Sequence, residues 1–97
     1  MPRSVRISAL AEADLMEIWR YTADRWSPEQ ADTYLDGLGA AFQGLAAQPS
    51  MGARRDAVRE GYRVLFVGEH AVYYRVAPAA VHVVRVLHGR MDPERHL

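Results

Sequence analysis

Four histidines and twelve arginines are the side chains best suited to chemistry in this 97-residue chain, and neither lysine nor cysteine accompanies them. His70, His82, His88 and His96 all lie in the C-terminal third, so metal binding is the first chemistry to test. His82 and His88 fall six residues apart in one extended run and, by parity, on one face. At about 3.3 Å per residue they sit roughly 20 Å apart, too far to share an ion. No His-x-x-x-His pair suggests a helical metal site, and we expect neither metal nor cofactor. Without cysteine there is no thiolate nucleophile, disulfide framework or zinc knuckle.

Hydroxyl and carboxylate chemistry is equally thin. None of Ser4, Ser8, Ser27 and Ser50 stands in a G-x-S-x-G elbow, and Ser8 and Ser27 are better explained as helix caps. Glu12 with Asp14, and Asp32 with Asp36, are more often solvated helix-face charges than acid/base pairs. Gly37 and Gly39 lie inside a helical stripe instead of following a strand, which excludes a phosphate-cradling loop. We assign no catalytic residue.

Arginine remains. Arg63, Arg75 and Arg85 each interrupt an apolar run, and Arg90 follows the last of them. The planar guanidinium suits carboxylate or phosphate, so these residues fit either a phosphate-binding patch or an acidic protein partner. The alternative is that they snorkel from an open sheet face with their heads in water. Twelve acids balance the twelve bases, so no general attraction to nucleic acid and no sequence-specific binding to it is expected. The distribution is uneven: residues 1–48 carry four arginines against seven acids, and residues 49–97 eight against five, about −3 and +3.

The elements that must position these groups are legible in the apolar pattern. Tyr62–Val67, Ala71–Val76 and Val81–His88 are rich in aromatic and β-branched residues. Their breaks, Gly68-Glu69-His70 and Ala77-Pro78-Ala79-Ala80, are so short that only antiparallel neighbours can be joined. These runs predict a three-stranded meander. Ahead of it, Val5 and Ile7 alternate with Arg6 and Ser8 in a short N-terminal strand. Ala11, Leu15, Ile18, Trp19 and Thr22 then form a helical stripe reaching Arg25. A second helix starts at Ser27-Pro28-Glu29-Gln30 and carries Ala31, Tyr34, Leu35, Leu38, Phe42 and Leu45 to its stop at Pro49. Gly37, Gly39 and Gly44 in that helix suit either a close helix–sheet approach or simple tolerance. Pro49 to Gly61 reads as a long loop and Met91 to Leu97 as a polar tail. The expectation is an α+β fold, with an αα-hairpin on one face of an antiparallel sheet and arginine and histidine on the other.

A hydrophobic fraction of 49% and a charged fraction of 25% are ordinary for a soluble globular protein, and 97 residues suit a single domain spanning 1–97. The N-terminus lacks a signal-peptide core and no run approaches about 18 apolar residues. We expect a cytoplasmic protein without a membrane contact.

Several segments taken together resemble a known family. Val5-Arg6-Ile7-Ser8, Ala13-Asp14-Leu15 with Ile18, Ala31 with Tyr34-Leu35, Pro49 with Gly52, Gly61-Tyr62-Arg63, Val72-Tyr73-Tyr74-Arg75-Val76 and Val83 to Arg90 are, in this order, similar to the ParE toxins of the RelE/ParE superfamily. The resemblance implies the toxin of a type II toxin–antitoxin module, held inactive in a hetero-oligomer by a small ParD-like antitoxin. For ParE members it implies DNA gyrase as target, and for RelE members cleavage of messenger RNA on the ribosome. The nucleases need basic side chains on the sheet to stabilise phosphorane charge. Here the strand that would carry one ends in Phe66-Val67, and no tyrosine follows Tyr74. His88 and Arg85 are left for proton transfer and phosphate binding. We therefore expect action by protein contact, with an endoribonuclease or an inactive antitoxin-binding relic as alternatives. Arg85, His88, Arg90, Met91 and Asp92 are the expected target contacts. Trp19, Trp26, Tyr34, Arg63 and Arg75 are the expected antitoxin contacts, aromatic anchors being typical of interface hot spots; for Trp19 core packing is the stronger expectation.

Overall fold

Both helices begin where a serine hydroxyl meets a free backbone amide. In the computed structural model, which describes residues 3–97, helix α1 spans Ala9–Arg25 with Ser8 accepting from the Ala11 amide. Helix α2 spans Pro28–Ala47 with Ser27 accepting from the Gln30 amide. Pro28 occupies the first turn, where its missing N–H costs nothing. The two-residue link forces a helical hairpin. Its inner stripe buries Ala11, Ile18, Ala31, Leu38, Phe42 and Leu45. A side chain on Gly37 or Gly39 would meet nothing within 4 Å, so these glycines do not mark a close helix–sheet approach.

Strand β1 (Ser4–Ile7) precedes the helices, and β2 (Ala53–Arg54), β3 (Tyr62–Val67), β4 (His70–Val76) and β5 (Ala80–His88) follow. The sheet order is β1-β5-β4-β3-β2. The meander is antiparallel, as its short turns require. β1 instead runs parallel to β5, with Val5 opposite Val81, the helical hairpin and strands β2 to β4 together making the long connection that a parallel pair needs. The sheet is therefore mixed, not purely antiparallel. The segment expected as a plain loop also holds a 3₁₀ turn at Pro49–Met51 and the edge strand β2. A two-residue strand is too short to show alternation. Among the described residues, no helix is long and apolar enough to cross a membrane.

Alternation along the strands divides the core in two. Val72, Tyr74, Val81, Val83 and Val86 face the helices and pack with Ile18, Leu38, Phe42 and Leu45. Val64, Ala71, Tyr73 and Leu87 face the other way, and Leu97 from the C-terminal tail packs against them. That second face is thus partly roofed by the chain's own end. A bulge modifies the alternation: Tyr73 pairs with Arg85 but Tyr74 pairs with Val83, leaving Val84 as the extra residue. An extra residue reverses face parity, so His82 and His88 lie on opposite faces instead of sharing one.

Tyr74 locks the 3₁₀ turn and β2 to the core. Its ring is fully buried, and its hydroxyl donates to the Pro49 carbonyl at 2.6 Å and accepts from the Gly52 amide at 2.8 Å. Gly52 permits that approach, since a Cβ there would sit 2.5 Å from the Tyr74 hydroxyl and 2.7 Å from the Val64 carbonyl. Tyr74→Phe therefore leaves two backbone groups without a partner and should cost about 1–3 kcal/mol. Urea unfolding should show a lower midpoint at unchanged slope; an unchanged midpoint would contradict this role.

Candidate functional site

The turn between β3 and β4 is a two-residue loop, Gly68-Glu69, with Val67 paired to His70 across it. Gly68 has φ +56° and no non-glycine residue described has positive φ, the pattern of a type II′ turn. Tyr34 of α2 reaches down onto this turn. Its hydroxyl lies 2.6 Å from His70 Nδ1, 3.1 Å from the Val67 carbonyl and 3.3 Å from the Glu69 amide. A Cβ on residue 68 would come within 2.7 Å of that hydroxyl, so glycine serves both the turn and the contact.

Beside it, His70 stands opposite His88 across the β4–β5 ladder, the rings 5.5 Å apart and edge-on. His88 Nδ1 accepts from the Arg90 amide at 3.2 Å, and its Nε2 lies 4.0 Å from the Glu69 carboxylate. The Gly89 amide closes the cluster on the Glu69 carbonyl at 2.8 Å. Burial, reinforced by the neighbouring His88, lowers the His70 pKa, with Glu69 opposing. Burial likewise raises that of Tyr34. Both shifts favour the neutral forms of His70 and Tyr34.

Beside the cluster lies an open, largely apolar cleft, with a more polar hollow adjoining it. A cleft of about 510 Å³ runs between α1 and β5, lined by Ile18, Tyr21, His70, Val86, His88 and Met91. Adjoining hollows add Arg25, Trp26, Phe66 and Arg90. Trp26 is 70% exposed, Tyr21 62%, Phe66 60% and Met91 42%. Large apolar side chains grouped in this way and rimmed by arginine mark a surface built for a partner.

The expected site residues do not all share one place. His88, Arg90 and Met91 join Trp26 and Tyr34 around this cleft, although the sequence had assigned them to two different surfaces. Asp92 sits just past it and caps the 3₁₀ turn Pro93–Arg95 through the Glu94 amide. Trp19 is half-buried between the helices' outer turns and donates from Nε1 to Asp32 at 2.8 Å. Arg63 lies on the helix-facing side of β3 and donates to the Gly52 carbonyl at 2.7 Å, whereas Arg75 is exposed on the other face.

Arg85 is not a free surface cation. Its guanidinium forks onto both oxygens of Asp14 at 2.8 and 2.9 Å and donates a third bond to the His96 carbonyl at 2.9 Å. Both charged side chains are largely buried, and the Asp14 hydrogen bonds push the Arg85 pKa up. The extra residue at Val84 lets the side chain turn round the sheet edge towards α1. Sequence reasoning missed Tyr21, Arg25, Phe66, Glu69 and His70 as cleft residues. Two signals were present: Tyr21 lies off the buried stripe of α1, and Phe66 has the parity of the face away from the helices.

Comparison with known proteins adds the family. Residues 5–93 match the family described as ParE toxin of type II toxin-antitoxin system, parDE. Toxin ParE1 of Mycobacterium tuberculosis is 47% identical over 92 residues, covering 94% of each chain. Toxin ParE1 of Caulobacter vibrioides is 42% identical over 92 residues, covering 95% of each. Among solved structures, one titled as the chromosomal ParDE system from P. aeruginosa superposes with TM-score 0.77 at 22% identity, covering 89% of this chain and 95% of that one. A RelBE2 toxin–antitoxin complex from Mycobacterium tuberculosis gives TM-score 0.60 at 22% identity, covering 91% and 99%. The fold is thus the one shared by ParE and RelE toxins. The chain itself belongs to the ParE family of toxins from type II toxin–antitoxin systems.

The His70 environment carries a measurable consequence. Its folded pKa lies below the unfolded value of about 6.5, so between the two values the unfolded chain binds the extra proton. The stability linked to His70 is complete above the unfolded pKa and is lost as pH falls through the folded one. The urea midpoint should drop between pH 7.5 and pH 5, and His70→Gln should drop less over the same interval. Equal drops would contradict the assignment.

Proposed function

We propose that this toxin acts in the cytoplasm by protein–protein contact with DNA gyrase, and that a small ParD-like antitoxin neutralises it in a hetero-oligomeric complex. One observation carries the contact reading: the Tyr34 hydroxyl and the Nδ1 atoms of His70 and His88 are engaged in hydrogen bonds within the protein, while Trp26, Tyr21, Phe66 and Met91 are exposed. Large apolar side chains rimmed by Arg25 and Arg90 suit a protein surface better than a reacting phosphate, which would need an acid, a base and a cation aimed at one point. Met91, His88 and Arg90 are the proposed target contacts, and Asp92 flanks them.

For the antitoxin we propose the helical hairpin, where Trp26 is exposed and Tyr34 half-buried, together with the β2 edge. Two-residue β2 leaves strand hydrogen-bonding groups free for strand addition. The kinship with ParE toxins and the structural likeness to a ParDE system support this partner. A ribosome-dependent endoribonuclease is the second reading, favoured by one observation: His88 shares a hollow with Arg25 and Arg90.

The purified protein should inhibit gyrase supercoiling and leave labelled message intact on translating ribosomes. Phe66→Ala combined with Met91→Ala should weaken inhibition by about tenfold or more, the scale of losing a hot-spot anchor. Message cleavage with normal supercoiling would overturn the proposal in favour of the second reading.

A further inference from the structure

On the face of the sheet turned away from the helices, four strands contribute one row of neighbours. Arg6 of β1 stands opposite His82 of β5, His82 opposite Arg75 of β4, and Arg75 opposite Tyr62 of β3. Arg59 extends the row by placing its guanidinium 5.9 Å from the centre of the Tyr62 ring. With strands about 4.8 Å apart, the row spans roughly 15 Å. No two of these arginines stand directly opposite, but Arg6 and Arg75 flank His82 two strands apart, and like charges this close repel unless something compensates them. Elsewhere in this protein the compensation is visible: Arg54 pairs with Asp56, Arg85 with Asp14 and Arg20 with Glu17. Among the described residues, Arg6, Arg59 and Arg75 have no ion pair and no side-chain hydrogen bond, and all three are exposed.

We infer that this row is a docking surface for the phosphate backbone of duplex DNA. Three unpaired guanidinium groups with no carboxylate bridging them call for a polyanion, and the remaining features select which one. A single strand would need free aromatic faces along the row on which to stack its bases; Tyr62 has one ring face taken by Arg59, Tyr73 is 6% exposed, and the exposed Phe66 lies four residues along β3 at the cleft end. An acidic protein segment would need sockets for anchoring side chains, yet the cleft and hollows described above lie at the other end of the strands. What the row offers is phosphate contact alone, which positions a duplex without reading its sequence. The inference stands independently of which macromolecule the apolar cleft engages.

The test is fluorescence anisotropy of the full chain with a labelled duplex of arbitrary sequence, titrated between about 50 and 200 mM salt. Three neutralised phosphates give a slope of about −2.7 in log K against log salt, an affinity loss of about 40-fold over that range. Arg75→Gln should reduce the slope to about −1.8, and Arg6→Gln with Arg59→Gln and Arg75→Gln should abolish binding. Arg20→Gln on α1 should leave the slope unaltered. Because removing like charges relieves repulsion, the row variants should keep or raise the thermal midpoint. A slope indifferent to the row variants, a lowered midpoint, or tighter binding of single-stranded RNA or of poly-glutamate than of the duplex would each overturn the inference.

Discussion

One carboxylate, that of Asp14, joins the helical half of this protein to its sheet. β1 ends opposite Val83, so the rest of β5 would be an uncovered edge, a row of unpaired groups open to stray pairing. Helix α1 takes over where β1 stops. The Ser8 amide donates to the Val83 carbonyl at 3.0 Å, and the Ser8 hydroxyl donates to the Val84 carbonyl at 2.7 Å. Six residues on, Asp14 accepts the Val86 amide at 2.9 Å and the Arg85 fork. The remaining Arg85 donor holds the His96 carbonyl, which keeps Leu97 against the second core. Edge closure, helix placement and tail docking thus share one ion pair. Removing either partner would leave the other charge dehydrated and unpaired, which is what makes such pairs costly to break.

The cleft follows from the same placement. With α1 held along β5 by its first half, its last turns stand over the β5 terminus, and Ile18 and Tyr21 face Val86, His88 and Met91 across a gap that no further element fills. Tyr34 ties α2 to the β3–β4 turn on the other side. The Tyr34 hydroxyl and the Nδ1 atoms of His70 and His88 are consumed in building this end of the molecule, and Trp26, Tyr21 and Phe66 are left outside. Walls already fixed by hydrogen bonds reduce the ordering that a partner must impose on binding.

Local rules made most of the elements legible. Ser8 and Ser27 announce two helix starts, Pro49 one stop, and the short breaks around Gly68 and Pro78 a meander. The parallel β1–β5 pairing was not legible, because four alternating residues do not name their partner. The bulge at Val84 was not legible either, and with it went the facing of His82 and His88 and the inward turn of Arg85. The Arg85–Asp14 pair joins residues 71 positions apart, and both were read as surface charges because nothing local distinguishes them. Half of the cleft was legible: the residues around His88 and Arg90 were singled out, but Tyr21 and Phe66 become noticeable only when the fold leaves them exposed side by side.

The most direct measurement is hydrogen exchange at the Val86 amide. If Asp14 closes the β5 edge, this amide should exchange as slowly as the central-strand amides of Val72 and Val83, and Asp14→Asn should speed it far more than it speeds those two. Exchange at Val86 at the rate of a solvent-exposed edge in the unaltered protein would contradict the account.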